Sequence, residues 1–272
     1  MKSVSTLLTL FLVLQLQAQK ENIFLNRDFW KAKPSVSDIQ QKIKEGHDPT
    51  EKNAFAFDGT AYGIISDAPL ESITYMLSLE GNPVTKLTHG GLTYLLWASY
   101  KGNKALIKHL LDLGSDPQFS NSRGTNMLLM AAIGGVTEPT VYDLILQQGI
   151  SLDYKNEIGA NALMLLSSAP LENDRILNYF LAKQMLLDVH DNQGNNLFFY
   201  AAKGGNLTTM RFWQMKGVPF DGLNSKGENA VLVASQGMKR RALSLETFTY
   251  LSEELGIPVD QVSWEGKTPL HF

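Results

Sequence analysis

The chain has no cysteine. That excludes disulfide cross-links, a thiolate nucleophile and lipid attachment through an N-terminal cysteine. Charge is sparse as well: charged residues make up 19% of the chain, with 24 Lys and Arg against 27 Asp and Glu, giving a net charge of −3. Such a balance argues against a chain whose main task is to neutralise phosphate backbones, so nucleic acid is not an expected partner. The usual signatures of chemistry are missing too. There is no His-Glu-x-x-His, no His/carboxylate pair at metal spacing, no Gly-x-Ser-x-Gly, no P-loop and no Gly-x-Gly-x-x-Gly. No catalytic residue, metal site or cofactor is therefore expected. What is present is ordinary for a folded protein, with 44% apolar residues, so disorder is not expected.

The N-terminus is a separate object. Lys2 precedes an apolar stretch from Val4 to Leu16, followed by Gln-Ala-Gln. A membrane-spanning helix needs roughly 20 apolar residues, and this stretch is shorter. Residues 1–18 read as a secretory signal peptide, with cleavage expected near Ala18 or Gln19. The expected location is periplasmic or secreted, with no membrane span after cleavage. The ending "LQAQ" resembles those of exported Bacteroidetes-type bacterial proteins.

The remainder is repetitive. "GLTYLLWASYKGN" begins at Gly91, "GTNMLLMAAIGG" at Gly124, "GANALMLLSSAP" at Gly159, "GNNLFFYAAKGGN" at Gly194, "GENAVLVASQG" at Gly227 and "GKTPLHF" at Gly266. These glycines recur every 33, 35, 35, 33 and 39 residues, a spacing that marks a repeat array. In the copy from Gly91, Thr93 is placed to cap a first helix whose Leu95, Ala98 and Ser99 share a face. Gly102 ends that helix. Leu106, Ile107, Leu110 and Leu111 form the stripe of a second helix, and Gly114 closes it with positive φ. "SDPQFSNSRG" then reads as a turn-rich connector.

These words resemble the ankyrin repeat. "GKTPLH" at Gly266–His271 matches the opening of that pattern and "LLDLGSDP" at Leu110–Pro117 its close. The resemblance runs from about Phe24 to Phe272 and implies an all-α solenoid of stacked helix-turn-helix units. It divides the chain into a degenerate capping unit (24–53), units near 54–90, 91–123, 124–158, 159–193, 194–226 and 227–265, and a partial unit (266–272). That last unit breaks off within its first helix, so the chain reads as a fragment. In ankyrin repeats a Thr caps the first helix. Here Asn126, Asn161, Asn196 and Asn229 take that slot, and Thr is expected to serve there equally well. The family's Pro becomes Met127, Ala162, Leu197 and Ala230, and its His becomes Leu96, Leu129, Met164, Phe199 and Leu232. "DAPLES" at Asp67–Ser72 and "SAPLEN" at Ser168–Asn173 suggest a higher-order cycle of three units. Insertions are expected before the second helices of the units starting at Gly124 and Gly227.

Of the five histidines, His47, His89 and His190 read as exposed turn residues, His109 as half-exposed on a helix, and His271 as part of the repeat pattern. The resemblance implies a non-catalytic scaffold that binds a protein, with the chain itself monomeric. The implied contact residues follow the Ala-Ala pair or flank the turn glycine. They are Tyr100 and Lys101, Ser122 and Arg123, Lys155 and Glu157, Asn192 and Gln193, Lys203, and Ser225 and Lys226. "KRR" at Lys239–Arg241 is the strongest basic cluster and an alternative contact for an acidic partner. Two other roles stay open: an accessory to a periplasmic stress-defence enzyme such as a catalase, and hydrolysis of an envelope polymer.

Overall fold

A computed structural model describes residues 21–237 and 244–272. The residues anticipated as a signal peptide, and Lys239–Arg241, lie outside them. The chain divides into two compact units, one ending at Pro83 and the other beginning at Val84. The all-α class anticipated from the sequence is what is found. Among the described residues the β structure amounts to one isolated bridge, Lys52 to Asp58.

The first unit holds α1 (Arg27–Lys31), α2 (Val36–Lys44), α3 (Gly59–Ile65) and α4 (Leu70–Ser78). Helix α2 starts in a reciprocal cap: Asp38 N–H donates to Ser35 Oγ, and Ser35 N–H to Asp38 Oδ2. The core forms around Trp30, which is fully buried and donates its indole N–H to the Phe24 carbonyl at 2.8 Å. His47 differs from its expected role as an exposed turn residue. It is buried, and its Nδ1 accepts the Ile23 N–H at 3.1 Å, so it closes the N-terminal turn against the core.

The second unit is built from helix pairs: α5 (Tyr94–Tyr100) with α6 (Lys104–Asp112), α7 (Met127–Ile133) with α8 (Pro139–Leu146), α9 (Ala162–Ser167) with α10 (Arg175–Ala182), and α11 (Leu197–Lys203) with α12 (Leu207–Met215). Helix α13 (Ala230–Gln236) follows, then α14 (Leu245–Thr249), which runs on as a π-helical turn over Tyr250–Glu254. The first helices pack in a row, α5 on α7, α7 on α9, α9 on α11 and α11 on α13. Each is too short to be stable alone, so burial against its neighbours holds it.

The recurrent Asn does cap these helices. Asn126, Asn161, Asn196 and Asn229 accept the N–H of Leu129, Met164, Phe199 and Leu232 at 3.0 to 3.1 Å. Thr93 occupies the same slot at the start of α5, but its side chain makes no capping bond. Asn196 and Asn229 also do what Thr cannot do with the same reach: their amide groups donate to the carbonyls of Pro219 and Pro258, each at 2.7 Å, tying the start of a first helix to the loop after the second. Equal service by Thr at position 196 is thereby corrected. Leu96, Leu129, Met164, Phe199 and Leu232 are buried without exception, and so are the small pairs Ala131–Ala132 and Ala201–Ala202. At Gly134 the chain ends α7 so close to the Tyr100 carbonyl that a Cβ would overlap it.

The connector after α7 has the short insertion expected. The connector between α9 and α10, residues 168–174, is longer still and was not foreseen. The near-copies that suggested a three-unit cycle also behave differently. Leu70 opens α4 as an exposed residue, whereas Leu171 is buried ahead of α10. Short apolar words do not fix a helix start; the surrounding packing does.

The second helices are braced across pairs. Tyr179 Oη donates to Asp143 Oδ1 at 2.7 Å and Lys183 lies 3.1 Å from the same oxygen. Both hold the Asp143 carboxyl below the ordinary range, while burial and the Asp143 charge push the Tyr179 phenol up. Arg211 pairs with Glu254 at 2.9 Å, and Trp213 Nε1 donates to Ser167 Oγ at 2.9 Å.

Candidate functional site

Between successive helix pairs the chain makes a tight five-residue hairpin at 121–125, 156–160, 191–195, 224–228 and 263–267. The N–H of the first residue donates to the carbonyl of the fifth at 2.9 to 3.1 Å in each. The fifth N–H donates back to the first side chain, Asn121, Asn156, Asp191, Asn224 or Ser263, at 2.9 to 3.2 Å. An Asx or Ser that satisfies its own turn, with glycine three residues on, therefore sets the shape locally.

The hairpins also bond to one another. Glu157 N–H donates to the Arg123 carbonyl at 3.2 Å, Asn192 to Ile158 at 2.9 Å, Ser225 to Gln193 at 2.8 Å and Trp264 to Lys226 at 2.8 Å. The tip backbones are thus satisfied within the chain, and the tip side chains are left for other contacts.

A cavity of about 240 Å³ opens between these tips and the first helices. Ile158, Asp191, Gln193 and Asn195 form its hairpin wall, and Glu228 comes from the next hairpin. Leu165 and Ser168 of the α9 end, Phe199, Tyr200 and Lys203 of α11, and Val233 and Gln236 of α13 complete it. Across its polar side runs a chain of hydrogen bonds. Tyr200 Oη donates to Asp191 Oδ2 at 2.9 Å, and Asn195 Nδ2 to the same oxygen at 3.0 Å. Asn224 Nδ2 donates to Asn195 Oδ1 at 2.9 Å and to Glu228 Oε2 at 2.8 Å, and Gln236 Nε2 to Glu228 Oε1 at 2.7 Å. Burial, and then the Asp191 charge and hydrogen bond, push the Tyr200 phenol upward, so it stays a neutral donor.

The structure sorts the eleven residues named from the sequence. Gln193 and Lys203 line the cavity. Ser122, Arg123, Glu157 and Ser225 are exposed on the hairpin tips, and Lys226 is half-buried there. Lys155 is exposed beside the next loop, with its ammonium 3.4 Å from the His190 carbonyl. Asn192 is exposed but occupied, because its side-chain amide donates to the Glu157 carbonyl at 2.9 Å. Tyr100 is half-buried at the end of α5 with its ring edge-on to Trp97, and Lys101 beside it is half-buried as well.

Sequence reasoning missed Asp191, Asn195, Tyr200 and Glu228. Thr125 and Ala160, which follow the turn glycine in earlier copies, are buried, and Glu228 buries a carboxylate in the same slot; the sequence shows the carboxylate but not its burial. A buried carboxylate is costly unless bonded, so its presence marks a polar site. Among the described residues no cluster of His, Asp or Glu could hold a metal ion, and no helix is long and apolar enough to cross a membrane. The chain matches no protein-family model and no curated protein.

Proposed function

We propose that the second unit is an ankyrin-type repeat stack that binds another protein along the face formed by the hairpin tips and the first helices. The observation that carries this reading is the cavity at that face, with exposed tip side chains beside it and tip backbones already bonded to each other. Concave faces of stacked repeats serve as extended recognition surfaces. The spacing of Gly91, Gly124, Gly159, Gly194 and Gly227, and the Asn caps one helix after another, support the repeat assignment. The role is binding rather than turnover: Asp191 and Glu228 are each held by neutral donors of this chain. The reading takes residues 1–18 as an export signal, so the partner sought is a periplasmic or secreted protein and not a nucleic acid, bound by the chain as a monomer.

The test measures affinity and melting on the same variants, using a partner captured from an envelope extract by the full chain. Replacing Arg123 and Gln193 together by Ala is expected to weaken the partner by about 2 kcal/mol, the usual hot-spot scale, and to leave melting unchanged. Leu110 is fully buried, so Leu110→Ala is expected to cost roughly 2–5 kcal/mol of stability instead. Normal binding by the Arg123/Gln193 variant would defeat the proposal.

A further inference from the structure

Three residues before the start of each of the last four hairpins stands an exposed aspartate: Asp153, Asp188, Asp221 and Asp260. Tyr154, Val189 and Gln261 follow three of them, but Gly222 follows Asp221. Gly222 is exposed, and a Cβ there would meet no atom within 4 Å. Among the described residues no hydrogen bond engages its N–H or the Asp221 carboxyl. The flanks are held: the Pro219 carbonyl by Asn196, the Phe220 ring against Phe198 at 5.7 Å, and the Asn224 N–H by the Glu228 carbonyl at 3.0 Å. The same tripeptide, Phe-Asp-Gly, occurs once more in the chain, at Phe57–Gly59, in the opposite setting. Asp58 is fully buried, its Oδ1 accepts the Ala61 N–H at 2.8 Å, and a Cβ on Gly59 would stand 2.9 Å from the Phe24 side chain.

We infer that Asp221–Gly222 is a modification site at which the connector between α12 and the hairpin at 224–228 isomerises its own backbone. The Gly222 amide nitrogen attacks Asp221 Cγ. A C–N bond forms, the Cγ–O bond breaks, and the carboxylic acid hydroxyl leaves with the amide proton as water. The resulting succinimide ring then takes up water. Opening at Cγ returns aspartate; opening at the Asp221 backbone carbonyl routes the main chain through the side chain, as isoaspartate. The water lost on closure is regained on opening, so no other reactant is needed. Closure requires an amide nitrogen that can swing onto the preceding side chain. Glycine allows this because it has no Cβ to crowd the nitrogen or restrict the turn, whereas Tyr154, Val189 and Gln261 each carry one. Open space around Gly222 leaves the movement free. Packing denies it to Gly59, and the Asp58 side chain is already committed to capping α3. The added backbone carbon falls between the two held points, Pro219 and Asn224, directly before the hairpin that carries Glu228.

The test incubates the full chain in warm buffer at neutral pH and follows isoaspartate peptide by peptide. Methyl transfer by an isoaspartyl methyltransferase detects it, and mass-spectrometric fragmentation that separates isoaspartate from aspartate locates it. Isoaspartate, preceded by a form lighter by one water, is expected at Asp221 about tenfold faster than at Asp58, Asp153, Asp188 or Asp260, a barrier difference of about 1.4 kcal/mol. Gly222→Val, at a position with room for the side chain, is expected to slow Asp221 to the rate of those other positions. In denaturant Asp58 is expected to react as fast as Asp221, because the two share one tripeptide and only the fold separates them. Four results would each overturn the inference: no isoaspartate at Asp221, an equal rate at Asp58 in the folded chain, an undiminished rate in Gly222→Val, or an unreactive Asp58 in denaturant.

Discussion

At the scale of the residue, asparagine is the most informative side chain here. Asn196 shows why: one oxygen caps α11 while the amide nitrogen holds the Pro219 carbonyl. Asn196→Ala loses both bonds and is expected to cost about 2 kcal/mol. Asn196→Thr keeps the cap and loses the donor, so it is expected to cost about 1 kcal/mol; equal midpoints for Thr and Asn in denaturant unfolding would contradict the bridging role. Gln184 is a second such position. Second helices α6, α8 and α12 are followed by Gly114, Gly149 and Gly217 with positive φ, but α10 is followed by Gln184 at φ 65°. A side chain there is strained, and Gln184 is exposed, so Gln184→Gly removes strain without opening a hole. It is expected to raise stability by about 0.5–1 kcal/mol, the strain relieved outweighing the added freedom of the unfolded chain. A lower melting temperature for Gln184→Gly would show that the backbone there is not held left-handed.

At the scale of the element, the capped first helices were legible because their signal is local: an Asn, a buried run and a small pair repeat within a dozen residues. The second helices were legible in α6, where Leu106, Ile107 and Leu110 are all buried. The start of α10 was not, because it depends on Leu171 finding a buried place outside the helix and on Asn206 donating to the Ala169 carbonyl at 2.7 Å, contacts between distant stretches. The braces between second helices were equally hidden. Asp143 and Tyr179 are 36 residues apart, and neither looks special in its own copy. Their bond has a pH signature. Tyr179 and Lys183 depress the Asp143 carboxyl in the folded state, so its contribution is present above the ordinary carboxylate value and is lost as pH falls through the depressed one. Asp143 is nearly half exposed, which limits the effect. Tyr179→Phe is expected to lower stability by about 0.5 kcal/mol at neutral pH and by less in acid. A penalty that stays constant from pH 7 down to about pH 2 would exclude the carboxylate as its source.

At the scale of the whole molecule, the proposed binding face depends on order among copies that individually say little. Arg123 and Gln193 come from hairpins two units apart, and Lys203 from the end of a helix, yet Gln193 and Lys203 meet at one cavity. Their exposure could be read from the repeat pattern. The carboxylates opposite them could not, because neither Asp191 nor Glu228 stands out in the sequence until the hydrogen-bonded chain through Asn195 and Asn224 is seen. The residue that looked available at position 192 is in turn occupied within the chain.

The central claim is that partners dock on the hairpin and first-helix face of the second unit. Photo-activated cross-linking from single positions in the full chain tests it most directly. A cross-linker placed at Arg123, Gln193 or Lys203 is expected to trap the partner, and one placed at Lys108 or Met215, exposed on the second helices α6 and α12, is expected to trap none. Trapping from Lys108 and Met215 with none from Arg123, Gln193 or Lys203 would contradict the account.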